Sequence, residues 1–350
     1  MTGVGLNTMP LLGKSQGVRR YVRELSTRLA AIEGVNVTSV GLPDEAHVPR
    51  SFSVRKAGFF VRQAQELALA PRRAAPGVDV LHYTDTYGPL MRGNAPVVVT
   101  VHDTTFLTHP ELHDRWVTIW LSALSRATWS RAQAIISVSE LTARDLEAVG
   151  VPREKVVVIP HGVDHADARE EGAPAGLTAG RYFAYAGNIE PRKDVPTLLS
   201  AFERVLDQLP EDVVLAITGR HAWGPALDVP QRVKDRIVFT GWLSDAQLCG
   251  FMAHSMAFVY PSKYEGFGLP PLEALHLGAR VIVGDTPVAR ETLAQHAEFF
   301  TPGDVEALAE LLVGALKPDT RDREQIRQHT AQFTWDRAAR ETLAVYRSVA

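Results

Sequence analysis

Short runs of consecutive apolar residues alternate along this chain with stretches whose apolar positions recur three and four apart. Val78–His82 and Val97–Val101 are runs of the first kind, fit for strands buried on both faces of a parallel sheet, and Val4–Asn7, Val35–Gly41, Ala134–Val138 and Lys155–Ile159 read as further strands. Between them, Tyr21, Leu25 and Leu29 fall at helical spacing. Arg115–Arg131 reads as a longer helix, with Trp116, Trp120, Leu124 and Ala127 on one face and the tryptophans expected in the core or a cleft wall. Ser139 is placed to cap a further helix that closes at Gly150. The stretch 167–180 has no apolar period, is rich in Ala, Gly and Glu, and reads as a linker. The alternation then restarts. Strands are expected at Tyr182–Ala186, Val213–Thr218, Ile237–Thr240, Ala257–Tyr260 and Arg280–Val283, with helices at Val195–Leu209 and Val305–Leu316 and a capping box from Ser244 to Gln247. A last helix, capped by Thr334, puts Trp335, Ala339, Thr342 and Tyr346 on one face. Strand and helix alternate through both halves, which predicts an α/β protein of two parallel-sheet domains.

Composition narrows the partners. The chain has 350 residues, 45% hydrophobic and 22% charged, with a net charge of −3, so nothing marks a nucleic-acid partner. One cysteine, Cys249, excludes an internal disulfide and suits a reducing compartment; inside a predicted helix it reads as a small core residue. No apolar run reaches the ~20 residues of a membrane helix, and the start lacks a secretory pattern. These features lead to an expectation of a cytoplasmic protein. Arg50–Arg73 mixes basic residues with Phe52, Phe59, Phe60 and Leu67. It reads as a surface helix packed by its aromatic face, with peripheral membrane contact as the less favoured alternative.

Candidate chemistry gathers in the second half. Met256–Asp285 reads as strand, glycine loop, helix and strand, with Gly266 and Gly268 in the loop, Pro270 and Pro271 in the first helical turn and Gly278 at the close. Such a helix start offers amides and a positive dipole end to phosphate. Glu265 before the loop and Glu273, placed in the first turn, are carboxylates suited to sugar and ribose hydroxyls; the plain alternative is a solvated loop residue and a dipole-favoured charge. Arg192-Lys193, before another helix start, form either a second anion corner or an exposed basic pair. His102 follows the strand Val97–Val101 at the edge where open parallel sheets bind ligands.

Glu265-Gly-Phe-Gly-Leu-Pro-Pro-Leu-Glu273 resembles the two-glutamate signature of family 4 of the retaining glycosyltransferases, which have the GT-B fold. Val101–Glu111, Ile135–Asp145 and Gly187–Asp194 resemble further segments of that family. The resemblance implies two Rossmann-like domains facing a central cleft: 1–166 on the acceptor side, 181–333 binding the nucleotide sugar, 167–180 between them, and 334–350 packing back on the first. It implies that Glu273 holds the ribose and Glu265 the transferring sugar. Gly187, Arg192, Lys193, and the loop Gly266, Phe267, Gly268 and Leu269 would hold the donor, the cations and loop amides at its diphosphate. His102 would lie beside the sugar, and Gly17 would stand for the family's phosphate-facing glycine loop, although the usual adjacent glycine pair is absent. The chain also departs from the family with His161 where Asn is common and Arg290-Glu291 where a Pro-Glu pair is usual. The implied reaction moves a hexose, with a mannose-type donor favoured but not fixed, from a nucleoside diphosphate sugar to a hydroxyl of a glycan, a lipid-linked sugar or a small natural product, with retention. No cofactor and no metal are implied, since no Asp-x-Asp stands where a diphosphate-bound cation would need it. A nucleotide-sugar epimerase on the same fold, or a non-catalytic nucleotide-sugar-binding protein, are the rival readings.

Overall fold

The computed structural model describes residues 1–13, 15–40, 77–88, 93–113, 115–167 and 172–350. The basic, aromatic stretch 50–73 lies outside the described residues. The chain divides into two compact units, 1–162 with 335–350, and 163–334.

The first unit contains β1 (Thr2–Asn7), α1 (Gln16–Ala30), β2 (Val35–Val40), β3 (Val80–Tyr83), β4 (Val97–Val101), α2 (Thr105–Thr108), α3 (Arg115–Arg131), β5 (Ala134–Ser137), α4 (Glu140–Ala148) and β6 (Val156–Val158). Among the described residues its strands form one parallel sheet in the order β2-β1-β3-β4-β5-β6. The period-two rule for strands divides its core in two. Val4, Leu6, Val80, Val98, Ala134 and Ile136 face α1, while Leu81, Tyr83, Val97, Val99, Val101 and Ile135 face α3 and α4.

The second unit contains β7 (Tyr182–Ala186), α5 (Val195–Val205), β8 (Val214–Thr218), β9 (Ile237–Gly241), α6 (Asp245–Ala253), β10 (Ala257–Tyr260), α7 (Leu269–His276), β11 (Val281–Gly284), α8 (Pro287–Leu293), β12 (Glu298–Phe300), α9 (Val305–Gly314) and α10 (Arg323–Thr330). Its sheet is again parallel, ordered β12-β11-β10-β7-β8-β9. Ser244 and Gln247 form the capping box of α6, and Cys249 is buried in that helix. The last helix, α11 (Trp335–Val349), returns to the first unit, where Trp335, Ala339, Leu343 and Tyr346 join α1 on the sheet.

One expectation needs correction. Trp116 and Trp120 are 77% and 50% exposed, not core residues. The buried face of α3 is instead Leu124, Ser125, Thr128 and Trp129. Two of these residues are tied into the loop after β3: the Thr128 hydroxyl accepts from the Gly88 amide (3.0 Å), and Trp129 Nε1 donates to Thr86 O (2.9 Å). The second unit begins at Val163, which is fully buried together with Ala166 and whose amide donates to Phe333 O at 2.9 Å.

Candidate active site

Strand order reverses in the second sheet between β7 and β10, and such a reversal opens a crevice at the strands' C-terminal ends. The two loops leaving those ends carry the predicted donor residues. After β7, residues 187–190 lead into a single 3-10 turn, Pro191–Lys193. After β10, the chain runs through Ser262 and Glu265 to the glycine loop and α7. The loops are strapped together, the Lys263 amide donating to Arg192 O at 2.9 Å and Arg192 Nη1 to Tyr264 O at 3.0 Å.

This strapping brings three predicted residues into one ion cluster. Glu265 Oε2 accepts from Arg192 Nη1 (2.8 Å), and Oε1 accepts from Lys193 Nζ and from the Ser262 hydroxyl (both 2.5 Å). Arg192 also donates to Glu190 Oε1 (2.8 Å), and Lys193 Nζ to the Tyr260 hydroxyl (2.5 Å). Burial alone would favour a neutral Glu265, but the charges of Arg192 and then Lys193 overcome it and bring its pKa to about 2. Burial, with Arg192 nearby, holds Lys193 below the usual ammonium range, and Glu265 opposes that shift. The basic pair is therefore not a solvated surface feature.

Gly268 caps α7 at φ +80°, a left-handed conformation that explains a glycine there. The Phe267 ring is buried against Phe333, centroids 6.2 Å apart, so the loop turns its side chain inward. Pro270 and Pro271 follow in the first turn of α7 and carry no N–H, so the donor of that first turn is the Leu269 amide, the Leu272 amide being bonded to Gly268 O. Glu273, the fifth residue of α7, lies just beyond that first turn and not within it as expected. It is 4% exposed, with Oε1 2.9 Å from His165 Nε2. Gly187 ends β7, its amide donating to Thr218 O at 3.0 Å; a side chain there would press on the Tyr185 hydroxyl at 3.0 Å.

The first unit has its own reversal of strand order, between β1 and β3. Thr84, beyond β3, donates its hydroxyl to Asn7 O (2.6 Å), and its carbonyl accepts from His102 Nε2 (3.0 Å). A carbonyl only accepts, so Nε2 carries the proton, and in the neutral ring Nδ1 is an acceptor. Burial holds His102 below its usual pKa against the pull of Asp85 and Asp103. Asp85, half-buried, is itself raised, first by burial. Rings enclose His102: Tyr21 at 4.9 Å and His161 at 5.5 Å between centroids, with Trp335 5.5 Å beyond His161. Behind this layer a buried chain of hydrogen bonds runs from the Tyr21 hydroxyl to Thr100 (2.7 Å), on to His82 Nε2 (2.7 Å), and from His82 Nδ1 to the Tyr346 hydroxyl (2.6 Å). His82 is thus a structural residue, its pKa brought to about 3 by burial and the neighbouring His102. Gly17 is the second residue of α1, and a Cβ there would meet nothing within 4 Å, so packing does not require glycine.

These arrangements can be compared with known proteins. A family model described as Glycosyltransferase Family 4 matches residues 15–167, and one described as Glycosyl transferases group 1 matches 172–333. The chain belongs to the family 4 glycosyltransferases. Curated relatives include the MMP alpha-(1->4)-mannosyltransferase of Mycolicibacterium hassiacum, 28% identical over 92% of this chain and 80% of the relative. The O-antigen chain mannosyltransferase B of Escherichia coli is 26% identical over 71% and 70%. The phosphatidyl-myo-inositol mannosyltransferase of Mycobacterium tuberculosis is 28% identical over 78% and 74%. Among solved structures, Anabaena Alr3699/HepE in complex with UDP-glucose is similar with a TM-score of 0.74, covering 99% of this chain and 100% of that one at 17% identity. The sucrose-phosphate synthase of Thermosynechococcus elongatus has a TM-score of 0.71, covering 99% of both chains at 19% identity. These likenesses establish the GT-B fold for this glycosyltransferase.

Sequence reasoning missed several residues of these two corners. Glu190, Tyr260 and Ser262 complete the charge cluster, and Tyr21, Asp85 and His161 surround His102. The signal for the first three was position: each lies on or just past a predicted strand end beside a motif already singled out. Among the described residues, no three His, Cys, Asp or Glu gather as a metal site, and no helix is long and apolar enough to cross a membrane.

Proposed function

We propose that this glycosyltransferase moves a hexose, mannose favoured, from a nucleoside diphosphate sugar to a hydroxyl of a glycan, a lipid-linked sugar or a small natural product, in the cytoplasm. The anomeric configuration is retained and no metal ion takes part. The observation that carries this reading is the Arg192–Lys193–Glu265 cluster beside the start of α7, at the reversal of the second sheet. A donor diphosphate would offer the two cations oxygens in place of Glu265, with the loop amides up to Leu269 as further donors. The released carboxylate would take hydroxyls of the transferring sugar, and Glu273 those of the ribose. The mannose preference rests on the names of the three relatives.

In the proposed step the C1–phosphate bond breaks and the bond from C1 to the acceptor oxygen forms on the same face. The acceptor proton goes to the departing phosphate oxygen, so no protein base is needed. Arg192 and Lys193 would stabilise the charge growing on the diphosphate, the largest kind of contribution a preorganised site makes. Neutral His102, its Nε2–H committed to Thr84, would use Nδ1 to accept a hydroxyl proton of the sugar and hold its position. Proton NMR of the first product formed tests the stereochemistry, the expected anomer being that of the donor. The opposite anomer would overturn retention and make His102 a candidate base. In the same assay nucleoside diphosphate should appear only when acceptor is present, whereas an epimerase converts the donor without one.

A further inference from the structure

We infer that His165 is a positioning residue for Glu273, fixing the carboxylate that holds the donor's ribose. The inference rests on that reading of Glu273 and adds a residue to it. His165 sits in the 3-10 turn Asp164–Ala166, which opens the second unit. The turn is held at its start by the hydrogen bond from the Val163 amide to Phe333 O, and Val163 and Ala166 are fully buried on either side. Its ring therefore has little freedom. His165 Nε2 stands 2.9 Å from Glu273 Oε1, and the two side chains are 2% and 5% exposed.

A carboxylate so enclosed needs compensation for lost water. The dipole at the start of α7 is a weak source, because its effect fades within the first turn and Glu273 lies beyond it. Glu265 has an arginine and a lysine for this purpose; the group at ion-pair distance from Glu273 is an imidazole. The difference suits two tasks. A carboxylate between two full cations is held strongly by them, whereas an imidazole at Oε1 holds one less strongly. Because a carboxylate is planar, fixing Oε1 also fixes the direction of Oε2. Neighbours Leu272, Ala274 and Leu275 are buried, so the helix carrying Glu273 cannot readily turn to compensate for a lost ring.

The test reads ribose discrimination rather than overall affinity. UDP and GDP, and the 2′,3′-dideoxy form of each, are titrated calorimetrically into wild type, His165→Ala, Glu273→Gln and the double variant. Wild type should bind a ribonucleotide roughly ten- to a hundredfold more tightly than its dideoxy form, as expected for hydrogen bonds to a charged group. His165→Ala should cut that ratio to about threefold or less while leaving dideoxy binding unchanged, and the double variant should be no worse than Glu273→Gln alone. A ratio unchanged in His165→Ala, or equal weakening of both forms, overturns the inference while sparing the role of Glu273. No ribose preference in wild type overturns both together. If the alanine variant does not fold, His165→Phe keeps a ring of similar size without a polar atom, and the same two outcomes decide.

Discussion

The two sheets reverse strand order at comparable places, yet the corners they build differ in electrical character. In the second unit the reversal is lined by full charges, Arg192 and Lys193 against Glu190 and Glu265, with Glu265 held ionised far into acid. In the first, the corner is made of rings: His102, Tyr21, His161 and Trp335, with His102 and His161 kept neutral by burial. One corner can exchange counter-ions with an arriving diphosphate. The other has Tyr21, His161 and Trp335 buried behind a half-buried His102, whose neutral ring suits an uncharged hydroxyl. On the proposed reading, a common backbone plan sets where ligands meet each unit, and the side chains on the loops decide which part of the chemistry each unit handles.

The largest effects expected are those that break each corner at its centre. Glu265→Gln and His102→Ala should each lower turnover by about a hundred- to a thousandfold, the usual loss for a positioned polar group in a dry site. Steady-state kinetics, with circular dichroism to confirm the fold, would check both. A loss for one residue and not the other would assign the work to a single corner. Next come Arg192→Ala and Lys193→Ala, each expected to weaken donor binding by roughly ten- to a hundredfold. Part of that loss belongs to Glu265, which either change leaves with less compensation inside the protein. Donor affinity unchanged in both variants would remove the pair from the site.

A titration compares the corners directly. His82, His102 and His161 bind protons less readily in the folded protein than at the usual 6.5, so an unfolded chain takes up protons that the fold refuses. Their contribution is full above pH 6.5 and declines as pH falls below it. Asp85, raised by burial, works in the opposite sense for one proton. Glu265 has its usual value of 4.5 lowered to about 2, so its contribution persists down to pH 4.5 and is lost between there and about 2. Hydrogen exchange measured from pH 7.5 to 5 should therefore lose protection first in the first unit; loss beginning in the second would contradict the assignment. The smallest expected effect is none: EDTA should leave turnover unchanged, and loss restored by magnesium or manganese would end the metal-free reading.

Much of the fold was legible because strands buried on both faces appear as near-continuous apolar runs, as Val97–Val101, broken only by Thr100, and Ala257–Tyr260 show. The glycine loop and the two glutamates were legible because their identity and spacing are local. The ion cluster was not, since Glu190, Tyr260 and Ser262 meet only after two separate loops are strapped side by side. The face of α3 was misread for a related reason. Helical spacing shows that a face exists but not which face is buried, and here Thr128 and Trp129 face inward, where the loop after β3 supplies their partners. Short elements such as β12 carry too few residues to establish a period.

The return of α11 has a consequence for how the molecule is made. The second unit is one uninterrupted segment, so all of its contacts are available once residue 334 has left the ribosome. The first unit is not: Trp335 and Tyr346, which close its core and complete the hydrogen-bond chain through His82, arrive after everything else. During synthesis its sheet would wait with the α11 side of its apolar face uncovered, exposed to chaperones or to wrong partners. Refolding from denaturant should show the same order, with the second unit recovering protection first and the first unit slowed by the long loop that joining α11 to α1 must close.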